Sequence, residues 1–169
     1  MVNLSTDKIT KSQVLEFLEE VPDPEIPVLS VIELGVVRDV FIDENTVIVV
    51  ITPTYSGCPA MNTFEEDIIS KLAEKGIPNT KIKTTYSPAW TTDWMSDAAK
   101  EKLRVYGIAP PEKSTTDKNA LFSDGEKVVP CPKCGDKNTK LVSQFGSTAC
   151  KAHYQCNECL EPFDYFKCI

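Results

Sequence analysis

The segments CPKCG at residues 131–135 and CNEC at residues 156–159 decide how the C-terminal part of this chain folds. Each CxxC pair closes a short loop that can place two thiolates on one metal ion, and the 21 residues between the pairs are enough for a β-hairpin. Four thiolates with no open coordination position are typical of a structural zinc site. The pattern therefore predicts zinc held by Cys131, Cys134, Cys156 and Cys159.

Iron is the alternative ion for the same four thiolates. CPKCG resembles the knuckle of rubredoxins, in which iron bound by four thiolates carries electrons. The second pair, however, is followed by Leu160 rather than by glycine, and the segment between the pairs is short for a rubredoxin. Zinc is therefore favoured over iron.

Three other thiol or imidazole groups lie in the same region. Cys150, His153 and Cys156 are spaced at intervals of three, so a site of three cysteines and the histidine stays open as an alternative. The simpler interpretation is that Cys150 packs as a small apolar residue, that His153 lies on the surface and that Cys168 is exposed.

A metal also explains how residues 129–169 fold at all. These 41 residues are close to the limit of about 40 below which a domain usually needs metals or disulfides. Six of the seven cysteines fall between residues 131 and 168, and in a reducing compartment such clustering indicates metal ligation. Residues 110–128, PPEKSTTDKNALFSDGEKV, have the composition of a linker.

Residues 1–109 are predicted to form an α/β (α+β) domain, a small sheet with helices packed on one face. Thr10 and Gln13 have the spacing of a capping box at the start of an amphipathic helix. Glycine and proline end the helical patterns, and runs rich in β-branched residues separate them. The helix after Thr10 is followed by strands over 36–43 and 46–52, a helix over 60–75, a strand over 81–86 and a helix over 93–106.

Cys58 is the single cysteine of this predicted domain, within TPTYSGCPAM at residues 52–61. It lies where a buried strand meets a helix, and the dipole at a helix N-terminus favours a thiolate. A thiolate there can hold a soft metal or a cluster, and an inert buried cysteine is an equal alternative. A nucleophile in covalent catalysis is a third and less favoured one. A Cys–His catalytic dyad within residues 1–109 is excluded, because the chain's one histidine is His153.

Two further groups of side chains could serve a site. Asp23 and Glu25, in the proline-rich DPEIP segment, could lie near Cys58, or Asp23 could simply cap a turn. Trp90 and Trp94, in SPAWTTDW, could anchor a protein partner or fill the core.

The charge distribution gives no sign of a nucleic-acid-binding surface. Residues 1–109 carry 10 basic and 17 acidic residues, and residues 129–169 carry 5 and 4, whereas such binders are strongly basic. No run approaches the roughly 20 apolar residues that span a bilayer, and the first residues lack a signal-peptide pattern. We therefore expect a cytoplasmic protein that binds neither nucleic acid nor membrane.

Several long motifs, in order along nearly the whole chain, resemble the PaaD family of phenylacetate-degradation proteins. Besides CPKCG, they are DPEIPVLSVIELGVVRDV at 23–40, TPTYSGCPAM at 52–61, SPAWTTDWMS at 87–96, KLRVYGIAPP at 102–111, FGSTACKA at 145–152 and EPFDYFK at 161–167. The first domain is similar to the broader SufT-like iron–sulfur-assembly family, whose hallmarks are the DPE segment and the GCP cysteine.

The resemblance implies a role beside the multicomponent oxygenase that epoxidises the ring of phenylacetyl-CoA. It implies a non-catalytic protein that helps to assemble metal centres, with the di-iron subunit or the iron–sulfur flavin reductase as partner. Carried over by position, Asp23, Glu25 and Cys58 become candidates for transient binding of iron or a cluster, and Cys150 gains a possible role. The alternatives are a structural adaptor subunit, an electron carrier through an iron-loaded ribbon, and, for an exposed Cys58, a site shared in a homodimer.

Overall fold

The computed structural model describes residues 9–55, 57–111 and 128–167. Most of the predicted linker, and Cys168, lie outside these described residues. By their contacts, the described residues form two compact units. One comprises the residues up to Pro53 together with Cys58–Pro88, and the other comprises those between Thr54 and Gly57 together with the residues from Ala89 onward.

The first unit contains two helices and a three-stranded sheet. Thr10 and Gln13 form the predicted capping box, which satisfies backbone N–H groups at the helix start. The elements are α1 (Lys11–Leu18), β1 (Val37–Asp43), β2 (Thr46–Ile51), α2 (Met61–Glu74) and β3 (Thr80–Thr84). The sheet order is β1-β2-β3, with β1 and β2 antiparallel and β2 and β3 parallel, so that α2 is the crossover between parallel strands.

One face of this sheet forms the core of the first unit. Alternate residues of β2, Val47, Val49 and Ile51, are buried together with apolar residues of both helices. On the opposite face Phe41 pairs with Ile48 and remains 53% exposed. This is the predicted arrangement of a small sheet with helices on one face.

The described residues of the second unit contain one α-helix and a four-stranded sheet. The elements are a 3₁₀ turn (Thr92–Trp94), α3 (Asp97–Tyr106), β4 (Ile108–Ala109), β5 (Thr139–Ser143), β6 (Lys151–Cys156) and β7 (Pro162–Phe166). The sheet order is β4-β7-β6-β5. The strands β5, β6 and β7 form an antiparallel meander, and β4 pairs parallel to β7.

The helix α3 and the strand β4 belong to the same compact unit as the cysteine-bearing strands. The boundary expected from the sequence, at residue 109, had instead placed them in the first domain. Ala109 joins the buried cluster that includes Tyr154, Phe163 and Tyr165. Arg104 of α3 also donates a hydrogen bond of 3.3 Å to the carbonyl of Pro132, between the first two cysteines. The reason is that a short four-cysteine meander has little apolar surface of its own, and β4 supplies part of what covers it.

The prediction of one helix over 93–106 was wrong at its start. A 3₁₀ turn ends at Trp94, Met95 is extended, and α3 begins only at Asp97. Ser96 accepts a hydrogen bond of 3.0 Å from the backbone N–H of Ala99 and is the N-cap. A side chain that satisfies one of the first N–H groups fixes a helix start more firmly than composition does.

In the part of the chain that the structure describes, none of the helices combines the length and the hydropathy that a transmembrane span requires.

Candidate functional site

The two CxxC pairs meet at one point. The Sγ atoms of Cys131 and Cys159 lie 3.7 Å apart, and those of Cys134 and Cys156 lie 3.6 Å apart. All four sulfurs lie within 4.8 Å of one another, and no other such group of His, Cys, Asp or Glu occurs among the described residues. Zinc–sulfur bonds of about 2.3 Å require sulfurs about 3.8 Å apart in a tetrahedron. The four residues therefore fit a tetrahedral metal ion, and tetrathiolate iron fits the same shape.

Each knuckle is a backbone turn that presents its two thiols on the same side. In the first, the N–H of Gly135 donates to the carbonyl of Cys131, and the N–H of Cys131 donates to that of Asp136, both at 2.9 Å. In the second, the N–H of Cys156 donates to the carbonyl of Glu161 at 2.9 Å. Gly135 and Leu160, which follow the second cysteine of each pair, both have positive φ, of 78° and 61°.

We expect Leu160→Gly to stabilise the metal-loaded ribbon. A leucine in left-handed backbone costs about 1–2 kcal/mol, and its side chain is 67% exposed, so little burial is lost. The greater backbone entropy of glycine in the unfolded chain offsets part of this gain, so the free energy of unfolding should rise by up to about 1 kcal/mol. Chemical unfolding followed by tryptophan fluorescence measures it. Gly135→Ala is the matched control and should destabilise, since a Cβ there meets no atom within 4 Å and only the backbone is strained. A destabilised Leu160→Gly variant would show that the leucine side chain makes a necessary contact.

Side chains outside the cysteines tie the two knuckles together. Asn138 donates to Glu158 at 2.8 Å and accepts from Asn157 at 2.9 Å. Lys133 and Glu161 form an ion pair of 2.6 Å between the two turns. These contacts hold the thiols in position, as the residues around metal ligands usually do.

The thiols compete for ionisation because their sulfurs are so close. The backbone N–H groups of Cys159 and Glu158 lower the pKa of Cys156 to about 7. For Cys134, the N–H of Asp136 lowers the pKa, but desolvation and hydrogen bonds with the other three thiols outweigh it and raise the pKa to about 12. Cys134 therefore keeps its proton near neutral pH unless a cation balances the charge. This is the behaviour of a metal-binding group rather than of four independent thiols.

Cys150 and His153, the alternative metal ligands considered from the sequence, lie outside the four-sulfur group. Cys150 is 4% exposed, lies 3.0 Å from the hydroxyl of Thr148, and is outside the four-sulfur group. His153 contacts Asp164, with 3.3 Å between Nδ1 and Oδ1. A site of three cysteines and the histidine is therefore not the arrangement that the fold assembles.

Cys58 lies in the first unit, three residues before α2. Its side chain is 9% exposed, and its carbonyl accepts a hydrogen bond of 3.4 Å from the N–H of Met61, the first residue of the helix. The N-cap position is held by Ala60, which gives no side-chain cap, and the first turn carries no acidic residue. The thiol thus lies just before a helix whose N-cap residue has no capping side chain, at the edge of the sheet where β2 ends.

Thr52, the first residue of the TPTYSGCPAM motif, lies at the same edge, although no role was expected for it from the sequence. It is the first residue after β2 and is 1% exposed, and its hydroxyl oxygen has no hydrogen-bond partner among the described residues. The signal in the sequence is slight: a single hydroxyl ending the apolar run VIVVI. Buried hydroxyls are normally satisfied, so this exception needs an explanation.

Asp23 holds the backbone of the DPEIP turn. It is 5% exposed, and its Oδ1 accepts hydrogen bonds from the N–H groups of Glu25 at 2.7 Å and Ile26 at 2.5 Å. Glu25 is half-buried and contributes its backbone N–H to this turn. The geometry gives Asp23 the structural role that the sequence offered as the simpler alternative.

The two tryptophans, both in the second unit, differ in exposure. Trp90 is 4% exposed and packs edge-on against Phe166, with ring centroids 6.0 Å apart. Trp94 is half-buried at the end of the 3₁₀ turn. Trp90 therefore fills the core, and of the two only Trp94 offers surface to a partner.

Comparisons with known proteins match the N-terminal and the C-terminal part of the chain to two different families. Residues 11–84 match the family described as "Iron-sulfur cluster assembly protein", and residues 115–167 match the "PaaD zinc beta ribbon domain". The chain is 44% identical to a protein of Escherichia coli (strain K12) that is named as one subunit of a "Putative 1,2-phenylacetyl-CoA epoxidase", over 93% of this chain and 92% of that protein.

Shorter relatives match part of the chain. It is 36% identical to an Fe-S protein maturation auxiliary factor of Porphyromonas gingivalis, over 56% of this chain and 90% of that protein. The crystal structure of a DUF59 domain from Bacillus anthracis superposes with a TM-score of 0.52 at 29% identity, covering 55% of this chain and 90% of that domain.

The fold class is thereby confirmed, as mixed α and β structure with a cysteine cluster in the C-terminal strands. The Escherichia coli relative matches the chain over 93% of its length at 44% identity, and the ribbon that matches the PaaD family carries a group of four sulfurs that could hold a metal ion. The chain accordingly belongs to the PaaD family, in which an iron–sulfur-assembly domain is followed by a zinc ribbon.

Proposed function

We propose that this protein is a non-catalytic accessory factor of the multicomponent phenylacetyl-CoA epoxidase, which helps to assemble that enzyme's iron-containing centres. In this proposal Cys58 binds iron or an iron–sulfur cluster transiently and passes it to the di-iron subunit or to the iron–sulfur flavin reductase. The observation that carries the proposal is the position of Cys58, buried just before the start of α2 in a domain of the assembly family.

The available chemistry supports a carrier rather than a catalyst. Nucleophilic catalysis by cysteine usually needs an adjacent base such as histidine, and the chain's one histidine is His153 in the second unit. In an assembly role the thiolate needs only to be a ligand that can be exchanged. Asp23 is proposed to act indirectly, by fixing the turn that carries Glu25.

The ribbon cysteines are proposed to bind zinc and to act structurally. The match to a zinc ribbon family supports zinc, and the sulfur separations alone do not favour it over iron. Metal analysis and visible absorption of the purified protein decide the point. One equivalent of zinc and a colourless protein are expected, whereas a red protein with one iron per chain would favour the electron-carrier alternative.

The delivery role is tested by Cys58→Ser in cells that produce the whole oxygenase without oxygen exposure. We expect the iron content of the recipient subunit to fall several-fold, while the zinc of this protein stays unchanged. Cys150→Ser is the matched control, since it removes a similarly buried thiol from the other unit. If every iron centre stays full in Cys58→Ser while the complex stays intact, delivery is excluded and the adaptor role, with Trp94 as contact, takes its place.

A further inference from the structure

The three-stranded sheet of the first unit has a second face, opposite its helices, that carries large apolar side chains. Phe41 of β1 pairs with Ile48 of β2, and Ile48 pairs in turn with Lys81 of β3. Phe41 is 53% exposed, Ile48 is half-buried and Lys81 is exposed. Adjoining apolar side chains that stay partly in water and are bordered by polar residues are typical of an interaction surface.

This face is acidic along one side and basic along the other. Side chains two residues apart on a strand point to the same face, so Asp39 lies beside Phe41 on β1, and Lys83 lies beside Lys81 on β3. Asp39 and Lys83 both pair with Val50 of β2, which places the two charges in one row across the sheet. We call the surface formed by these residues and Ile48 the open face.

Other charges on the acidic side have to be weighed. Lys11 of α1 forms an ion pair with Asp39 and offsets part of its charge. Asp43, two residues beyond Phe41 on β1, is exposed and adds a second carboxylate to the same side. Ion pairs between exposed side chains are weak and exchange readily with other partners. Asp39 can therefore also meet a lysine of another molecule.

The distribution of charge makes the open face complementary to a second copy of itself. Dimers of identical chains are usually two-fold symmetric, so that each contact is made twice. When the axis runs along β2, β1 of one copy lies over β3 of the other, and acidic residues meet basic ones. When the axis runs across the strands, β1 lies over β1 and β3 over β3, and like charges meet. The first arrangement also keeps the strands aligned, as in most pairs of stacked sheets.

We propose that the open face is a self-association surface, on which two copies of this chain stack with β1 of one over β3 of the other. In this dimer Ile48 meets the same residue of the second copy, Phe41 packs on the side chain of Lys81, and Asp39 pairs with Lys83. The inference is independent of the delivery role, because Cys58 is buried and lies after β2 rather than on this face.

The size of the open face limits the strength of this dimer. Three strands about 4.8 Å apart and about five residues long cover roughly 240 Å². A standard interface buries about 800 Å² per partner, so we expect a reversible association at micromolar to millimolar concentrations. Joining two sheets edge to edge through β1 is disfavoured, because a register shift between Val37 and Asp39 interrupts that strand.

Sedimentation velocity of the full-length, zinc-loaded protein over this concentration range tests the surface. Phe41→Thr keeps a β-branched residue in the strand but should weaken self-association about ten-fold, as expected for the central apolar anchor of an interface. Tyr106→Thr is the matched control, since it removes an aromatic residue that is 55% exposed from the other unit, and it should leave the association unchanged. A wild-type protein that stays monomeric throughout, or association that Phe41→Thr does not weaken, would overturn the inference and leave the face to a different protein.

Charge reversal tests how the two copies are arranged. Lys83→Glu places two pairs of like charges in the dimer, and Asp39→Lys does the same with the opposite sign, so each variant alone should associate about ten-fold more weakly. An equimolar mixture of the two should recover the wild-type affinity, because every charge in the mixed dimer again meets its opposite. Association in the mixture that is as weak as in either variant alone would overturn the stacking of β1 over β3.

Discussion

Cys156→Ser is expected to abolish metal binding and to unfold the ribbon. The thiol of Cys156 is fully buried at the end of β6, and its sulfur lies 3.6 Å from that of Cys134. Even residues that only support ligands change metal affinity by about 10- to 100-fold, so the loss of a ligand should exceed 100-fold. Metal content should fall from about one equivalent to near zero, and because the bound metal supplies folding free energy, the second unit should lose cooperative unfolding.

Both tryptophans report on this unit, which makes the readout selective. Trp90 and Trp94 are the chain's two tryptophans, and both belong to the second unit. Their emission should shift to the red in Cys156→Ser, as it should when a chelator strips the metal from the wild-type protein. Cys150→Ser is the control, because it lies just before the same strand but outside the four-sulfur group, and it should keep its metal. Full metal content in Cys156→Ser would mean that other ligands hold the ion.

Asp23→Ala should destabilise the first unit by about 3 kcal/mol. The carboxylate is 5% exposed and accepts two backbone N–H bonds, and a buried donor left without its acceptor costs about 1–3 kcal/mol. Thermal unfolding followed by far-ultraviolet circular dichroism measures the loss, since the first unit has no tryptophan. Glu25→Ala removes a neighbouring, half-buried carboxylate and should cost much less.

Asp23→Asn separates a structural role from a metal-binding role at the same position. The amide oxygen of asparagine can still accept both hydrogen bonds, so most of the stability should return. If Asp23 only shapes the turn, iron delivery should return with it. A stable Asp23→Asn variant that no longer delivers iron would instead assign the carboxylate to the cargo, against the role that the geometry gives it.

Much of the fold was predictable because its signals are local. The capping box at Thr10 and Gln13 formed as predicted, since both partners lie within one turn of helix. The four-sulfur group was equally predictable from the sequence. Each CxxC pair closes its own loop, so only the meeting of the two loops had to be inferred. The errors lay at element boundaries, such as the start of α3, where a 3₁₀ turn and the cap at Ser96 interrupt an apparently continuous pattern.

The sequence by itself determined which four cysteines meet in the ribbon, the order of helices and strands up to α3, and the solitary cysteine at a strand-to-helix connection, because each follows from the spacing of neighbouring residues. Only the tertiary structure decided that α3 and β4 pack with the ribbon, that the Asp23 carboxylate is used by its own turn, and that Cys150 and His153 lie apart from the four sulfurs. It also revealed the unsatisfied hydroxyl of Thr52. These features depend on pairing and burial between segments distant in sequence, and no local pattern encodes which buried polar atom will be left without a partner.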